Sequence, residues 1–280
     1  MEVWTNLKKT SIIIVFIIIM FIGSSTFAKY GICEVHFIDV GQGDCTLIKV
    51  GSKNYLIDSG AAYYTNRVIK YLDSNSVNKI EGIILTHYHD DHYEGIYNIA
   101  KSRKVCKVYL PSHENSEKYS LADKLLKIGV PVEYIEKNWD IKYYGINLKV
   151  VGPLFKDESI ENNNSIVLQG KIGSLNYLFA GDCQKKEEED MINMKQLKKC
   201  DVLKVSHHGL NTSTTVQFLN KVEPKAAIVT SDGINTPDKR VEKRLINKGI
   251  IVWRSDTQGN IVIKDKILSC DKNNTTIKLK

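Results

Sequence analysis

Three of the chain's seven histidines stand within six residues, in the run Thr86-His87-Tyr88-His89-Asp90-Asp91-His92. Imidazole nitrogens beside carboxylates are the ligand types of zinc, manganese and iron sites. Two further places offer the same chemistry: Asp182, which closes Ala180-Gly181-Asp182, and the adjacent pair His207-His208 before Gly209.

Each of these groups needs an element to aim it. Residues 80–85 read as a short buried strand, and Asp90-Asp91 fall where a helix N-cap belongs, before an apolar-periodic stretch over 93–100. The helix N-terminus favours the ionised carboxylate. Alternation predicts strands over 33–40 and 45–50, joined by the Gly41-Gln42-Gly43-Asp44 turn, and a third over 54–58. Helical spacing covers 65–79, 121–128, 185–197 and 238–248, with strands over 104–110, 132–135, 146–151, 166–170, 176–182, 201–206, 226–231 and 250–254. The charged run 185–190 reads as a solvated helix face, His36 as structural, and His113 as an exposed loop histidine. Every acid- or histidine-bearing turn follows a strand, as a shared site at strand ends requires.

The pattern His87-x-His89-x-Asp91-His92 resembles the H-x-H-x-D-H run of metallo-β-lactamase fold hydrolases. Other segments are similar to the extracellular hydrolase domain of ComEC-type competence proteins. They are Asp39-Val40-Gly41-Gln42-Gly43-Asp44, Leu56-Ile57-Asp58-Ser59-Gly60, the Asn-Ser-hydrophobic stretch from Asn164, Gly181-Asp182, Leu203-Lys204-Val205-Ser206-His207-His208-Gly209, and the closing stretch 257–263. The resemblance implies an α/β fold, an αββα four-layer sandwich of two mixed sheets flanked by helices. It implies two divalent metal ions, zinc or manganese, with His87 and His89 on one, Asp91, His92 and His207 on the other, and Asp182 bridging. Asp91 also takes a catalytic role. Adjacent residues leaving a strand point apart, so His208 is assigned to substrate or proton transfer, the order within the pair being open. Asp44, Asn164, Thr212 and Ser213 are the expected substrate contacts.

Two departures from that pattern bear on the chemistry. Many fold members carry a further ligand histidine near residues 162–170, and this chain has none; the Asn164 amide oxygen either stands in for it or makes an Asx-turn. Where relatives commonly place a serine after Gly209, this chain has Leu210, and Thr212 and Ser213 are the hydroxyls left to replace it.

The reading for function is a secreted metal-dependent hydrolase, a phosphodiesterase or nuclease with DNA as substrate. The alternatives are hydrolysis of a small-molecule ester, lactone or lactam, and a non-catalytic DNA-binding relative. A formal charge of +7 and a pI near 8.9 fit a polyanionic partner. Residues 1–28 read as a signal peptide or a retained signal anchor: Lys8 and Lys9 precede an apolar run over 12–22, and Thr26-Phe27-Ala28 offers small residues for cleavage. Residues 29–280 form the expected hydrolase domain, with no integral membrane channel and at most a membrane tether. Six scattered cysteines without C-x-x-C spacing exclude a zinc ribbon, leaving disulfides or buried thiols.

Overall fold

The computed structural model of the chain describes residues 32–279; the expected export segment 1–28 lies outside the described residues. Among the described residues the strands form one nine-stranded and one seven-stranded sheet, with a small pairing of Lys79–Ile80 and Lys104–Val105. In the first sheet Cys33–Phe37 pairs antiparallel with Ile261–Lys264 and Thr46–Val50. From Lys53–Ile57 the sheet continues in parallel through Gly82–Ile84 and Val108–Pro111 to Val132–Ile135. The second sheet is antiparallel across Ile146–Gly152, Val167–Ile172 and Leu175–Phe179, then parallel through Val202–Lys204, Ala226–Val229 and Ile251–Arg254.

Strand periodicity sorts the side chains into layers. Phe37, Ile48, Ile57 and Ile84 point inward and meet Leu148, Leu168, Phe179 and Val202 of the second sheet. Their neighbours Leu47, Leu56 and Ile83 point outward, against Val68, Leu72, Ile96, Ile99, Leu121 and Leu125 on helices Thr65–Ser74, Ile96–Ser102 and Ser116–Lys127. On the far side Val167, Leu178 and Leu203 pack on Met191, Phe218, Leu219, Val241 and Leu245, carried by helices Lys185–Asn193, Val216–Val222 and Lys239–Ile246. Both faces of each sheet are apolar because both are covered. Three apolar layers thus separate four structural layers, and the fold is the expected αββα sandwich. Phe37 and Phe179 face each other across its middle, ring centroids 6.3 Å apart, each burial contributing about 1.5–3 kcal/mol.

The charged helix departs from its expected solvated face, since Glu187 and Glu188 are both buried. Glu188 accepts the backbone amides of Thr214 (2.5 Å) and Thr215 (2.9 Å), at the start of the helix that follows, where such amides lack intrahelical partners. Glu187 has no hydrogen-bond partner, and burial pushes its carboxyl far above the usual carboxylate range. Cys45, Cys106, Cys183, Cys200 and Cys270 are free thiols. No described helix is long and apolar enough to cross a membrane.

Candidate metal centre

The first sheet delivers one half of the centre. Strand Gly82–Ile84 runs out into Thr86, and the chain turns through His87 and His89 into a four-residue helix, Asp90–Tyr93. The N-cap is the extended His89, so Asp90 and Asp91 fall one step further in than expected, within the first turn. Behind them Asp58 is fully buried at the end of the neighbouring strand. Its Oδ1 accepts the Thr86 amide (2.7 Å), and its Oδ2 accepts the Thr86 hydroxyl (2.8 Å) and His92 Nδ1 (2.9 Å). With its Nδ1 engaged by Asp58, His92 turns its Nε2 toward the pocket.

The second sheet delivers the other half. Strand Leu175–Phe179 leads through a turn to Asp182, whose amide donates to the Ser165 hydroxyl (3.1 Å). Gly181 lies at φ +53°, where a Cβ would crowd Ser165 and Thr86 at 3.1 Å. Beyond strand Val202–Lys204, His207 (φ 49°), His208 (φ 51°) and Gly209 (φ 79°) are three successive left-handed residues. That conformation costs a non-glycine residue about 1–2 kcal/mol. The reversal turns His208 inward, with Nδ1 3.2 Å from the Thr230 carbonyl and Nε2 3.3 Å from both Asp91 Oδ2 and Asp182 Oδ2.

The two halves meet at Asp182. Its Oδ2 lies 3.3 Å from His208 Nε2, 3.4 Å from His92 Nε2, and 3.9 Å from both His87 Nε2 and His207 Nε2. Two sets of donor atoms are close enough to hold a cation, His87–His92–Asp182 and Asp91–His92–His208. A third grouping, Asp44–Asp58–His92, lies behind them, its atoms already engaged by Thr86, Thr230 and Lys204. His92 Nε2, His208 Nε2 and Asp182 Oδ1 are buried without a hydrogen bond, although unpaired buried polar atoms cost about 1–3 kcal/mol each.

The electrostatics agree. Burial alone would lower both imidazoles, but the carboxylates override it: Asp182 and Asp58 hold His92 far above its ordinary range, and Asp182 brings His208 up to about 9. Burial likewise opposes ionisation of Asp182 and Asp91, yet the nearby imidazoles keep both well below the usual carboxylate range. A pocket that draws positive charge this strongly, lined with orphaned ligand atoms, fits divalent cations.

Several expected site residues are placed differently. His207, expected as the ligand of its pair, stands at the rim with 15% of its side chain exposed; its Nδ1 is 2.8 Å from the Thr212 hydroxyl and its Nε2 accepts Asn162 Nδ2 (3.2 Å). Its neighbour His208 takes the inner position because the left-handed turn rotates the pair. Asp44 is buried rather than open to substrate: it pairs with the buried Lys204 and accepts the Thr230 hydroxyl (2.6 Å). Asn164 spends both amide atoms on the Asp157 backbone, at 2.8 Å each, and so makes a local turn. Ser213 donates inward to the carbonyls of Ser206 (3.1 Å) and Leu210 (3.2 Å). His89 contacts the cluster through His87, Nδ1 to Nε2 at 3.1 Å. His113 is mostly buried rather than exposed, and hydrogen-bonds the Glu161 carboxylate at 2.9 Å and 3.0 Å.

Asp58, Thr86, Lys204 and Thr230 had no role in the sequence reading. Asp58 and Lys204 lie inside segments that carry the family resemblance, which was the available signal; Thr230 had none.

A family model described as the metallo-beta-lactamase superfamily matches residues 38–231. The chain is 28% identical over 258 residues to ComE operon protein 3 of Bacillus subtilis (strain 168), covering 83% of this chain and 33% of that protein. It is 28% identical over 233 residues to competence protein ComA of Neisseria gonorrhoeae, covering 79% of this chain and 30% of the relative. The chain therefore spans a third or less of the length of these relatives. Among solved structures, the metallo-beta-lactamase fold protein YhfI from Bacillus subtilis matches with a TM-score of 0.60 over 83% of this chain and 99% of that one, at 11% identity, a likeness of fold. With the family model matching more than half of its residues, the chain belongs to the metallo-beta-lactamase superfamily, as a metal-dependent hydrolase related to competence proteins.

Proposed function

We propose that this chain is an exported two-metal phosphodiesterase that cleaves DNA. The observation that carries the reading is the convergence of four imidazole Nε2 atoms on one carboxylate oxygen, Asp182 Oδ2, within 3.9 Å. The competence and operon names of the relatives, together with the +7 charge, support DNA as the polyanion. His87, His89 and Asp182 would hold one cation and Asp91, His92, His208 and Asp182 the other. Bound there, divalent zinc or manganese supplies Lewis acidity and makes water nucleophilic near neutral pH.

The protein groups divide the remaining work. Asp58 and Thr230 fix the tautomers of His92 and His208, so that the Nε2 lone pairs face inward. His207 stands at the rim, its Nε2 engaged by Asn162 and its Nδ1 by the Thr212 hydroxyl. Thr212, exposed beside it, is the hydroxyl left to meet a phosphate oxygen.

The test is to incubate the purified chain with plasmid, linear and single-stranded DNA after chelation, and again after adding manganese or zinc. Cleavage should vanish with chelator and return with metal. Undiminished cleavage after chelation removes the metal from the reaction. Turnover of a lactone or lactam with every DNA left intact replaces the proposed substrate.

A further inference from the structure

The run Asn162-Asn163-Asn164 lies on one 3-10 turn, Glu161–Asn164, and all three side chains are buried. Their partners separate them. Asn164 is spent on Asp157, while Asn163 accepts the Gln184 amide (3.2 Å) and donates to Asp157 Oδ2 (2.9 Å). Asn162 donates Nδ2 to His207 Nε2, and its Oδ1 is buried with no hydrogen bond. In that respect Asn162 Oδ1 matches His92 Nε2, His208 Nε2 and Asp182 Oδ1, the orphaned ligand atoms of the centre.

The turn is tied to the His87–His89 segment from both ends. Glu161 Oε1 accepts the amide of Tyr88, the residue between the two histidines, at 2.9 Å, and His113 holds the same carboxylate from behind. Past the turn, the Ile166 amide donates to the Thr86 carbonyl (2.9 Å). Asn162 is thus carried on a turn whose flanking residues are bonded to the segment that holds His87 and His89, the half of the centre with two imidazoles and only a share of Asp182.

We propose that Asn162 Oδ1 is the neutral oxygen ligand that completes the His87–His89 metal position, aimed there by the hydrogen bond from its Nδ2 to His207. The inference rests on the two-metal reading above. An amide oxygen is a harder and weaker donor than imidazole, so this position favours manganese relative to zinc more than an all-histidine site does.

Calorimetric titration of the metal-stripped chain with manganese tests it. The parent should show two binding events of unequal affinity. Asn162→Ala should weaken the weaker event at least about tenfold and leave the stronger one within about twofold, the scale of ligand-shell losses. Asn162→Asp, which keeps the shape and adds charge, should tighten the weaker event. An unchanged titration in Asn162→Ala, a weaker event that Asn162→Asp fails to tighten, or a parent that binds a single ion each overturns the assignment. Two bound ions with the expected variant pattern, but no cleavage of any DNA, would sink the phosphodiesterase reading and leave this one standing.

Discussion

On one side of Asp182 each imidazole is braced from behind, His92 by the Asp58 carboxylate at 2.9 Å and His208 by the Thr230 carbonyl at 3.2 Å. On the other side His87 Nδ1 has only the Thr86 hydroxyl at 3.2 Å, and its Nε2 rests against His89. The residue types are the same, but the supporting shells differ. A carboxylate behind an imidazole fixes its ring and raises its basicity, which a hydroxyl does weakly. On the two-metal proposal, the Asp91–His92–His208 side would hold its cation tightly and the His87–His89 side would exchange it.

The severest way to break that asymmetry is to remove the residue both sides share. Asp182→Ala should cost more than about a thousandfold in hydrolysis, beyond the loss of one charge-stabilising donor, with an unchanged circular dichroism spectrum. The adjacent histidines should then separate: His208→Ala costs about a hundredfold in turnover, and His207→Ala less than about tenfold. Equal losses would mean that the inward turn at 208 is not what selects the ligand. Bracing is tested by Asp58→Asn, which should weaken metal binding about 10–100-fold in competition with a chromogenic chelator, whereas Thr86→Val should weaken it less.

The smallest effect is expected away from the centre. Burial holds Glu187 far above its ordinary 4.5, so the folded chain keeps a proton that the unfolded chain releases. Its contribution is full below pH 4.5 and is lost as pH rises toward the folded value. Glu187→Gln should match the parent in acid and exceed it by about 1 kcal/mol near pH 8 in urea unfolding, with hydrolysis unaltered.

The run at 86–92 is legible in sequence because its groups are neighbours and follow one apolar strand. The layers are legible for a related reason, since Leu47 and Ile48, or Leu56 and Ile57, alternate between two buried faces. Which of His207 and His208 turns inward is not legible: strand period says only that they diverge, and the choice is made by left-handed backbone at both residues. Asn162 and Asn164 are likewise the same residue type two positions apart, distinguished only by Asp157 and His207, which the fold brings to them. The burial of Glu187 and Glu188 opposes their composition, because the amides of Thr214 and Thr215 that receive Glu188 are 26 and 27 residues away.

His87, His89, Asp91 and His92 are carried at strand ends of the first sheet, and Asp182, His207 and His208 at those of the second. On the two-metal proposal, cations gripped by both sets would act as rivets between the two halves of the sandwich, so the halves could not part without releasing them. Occupancy then enters the stability of the whole domain by mass action, about 2.7 kcal/mol per ion at a hundredfold excess over its Kd. The melting temperature becomes a gauge of how full the centre is, readable before any substrate has been found.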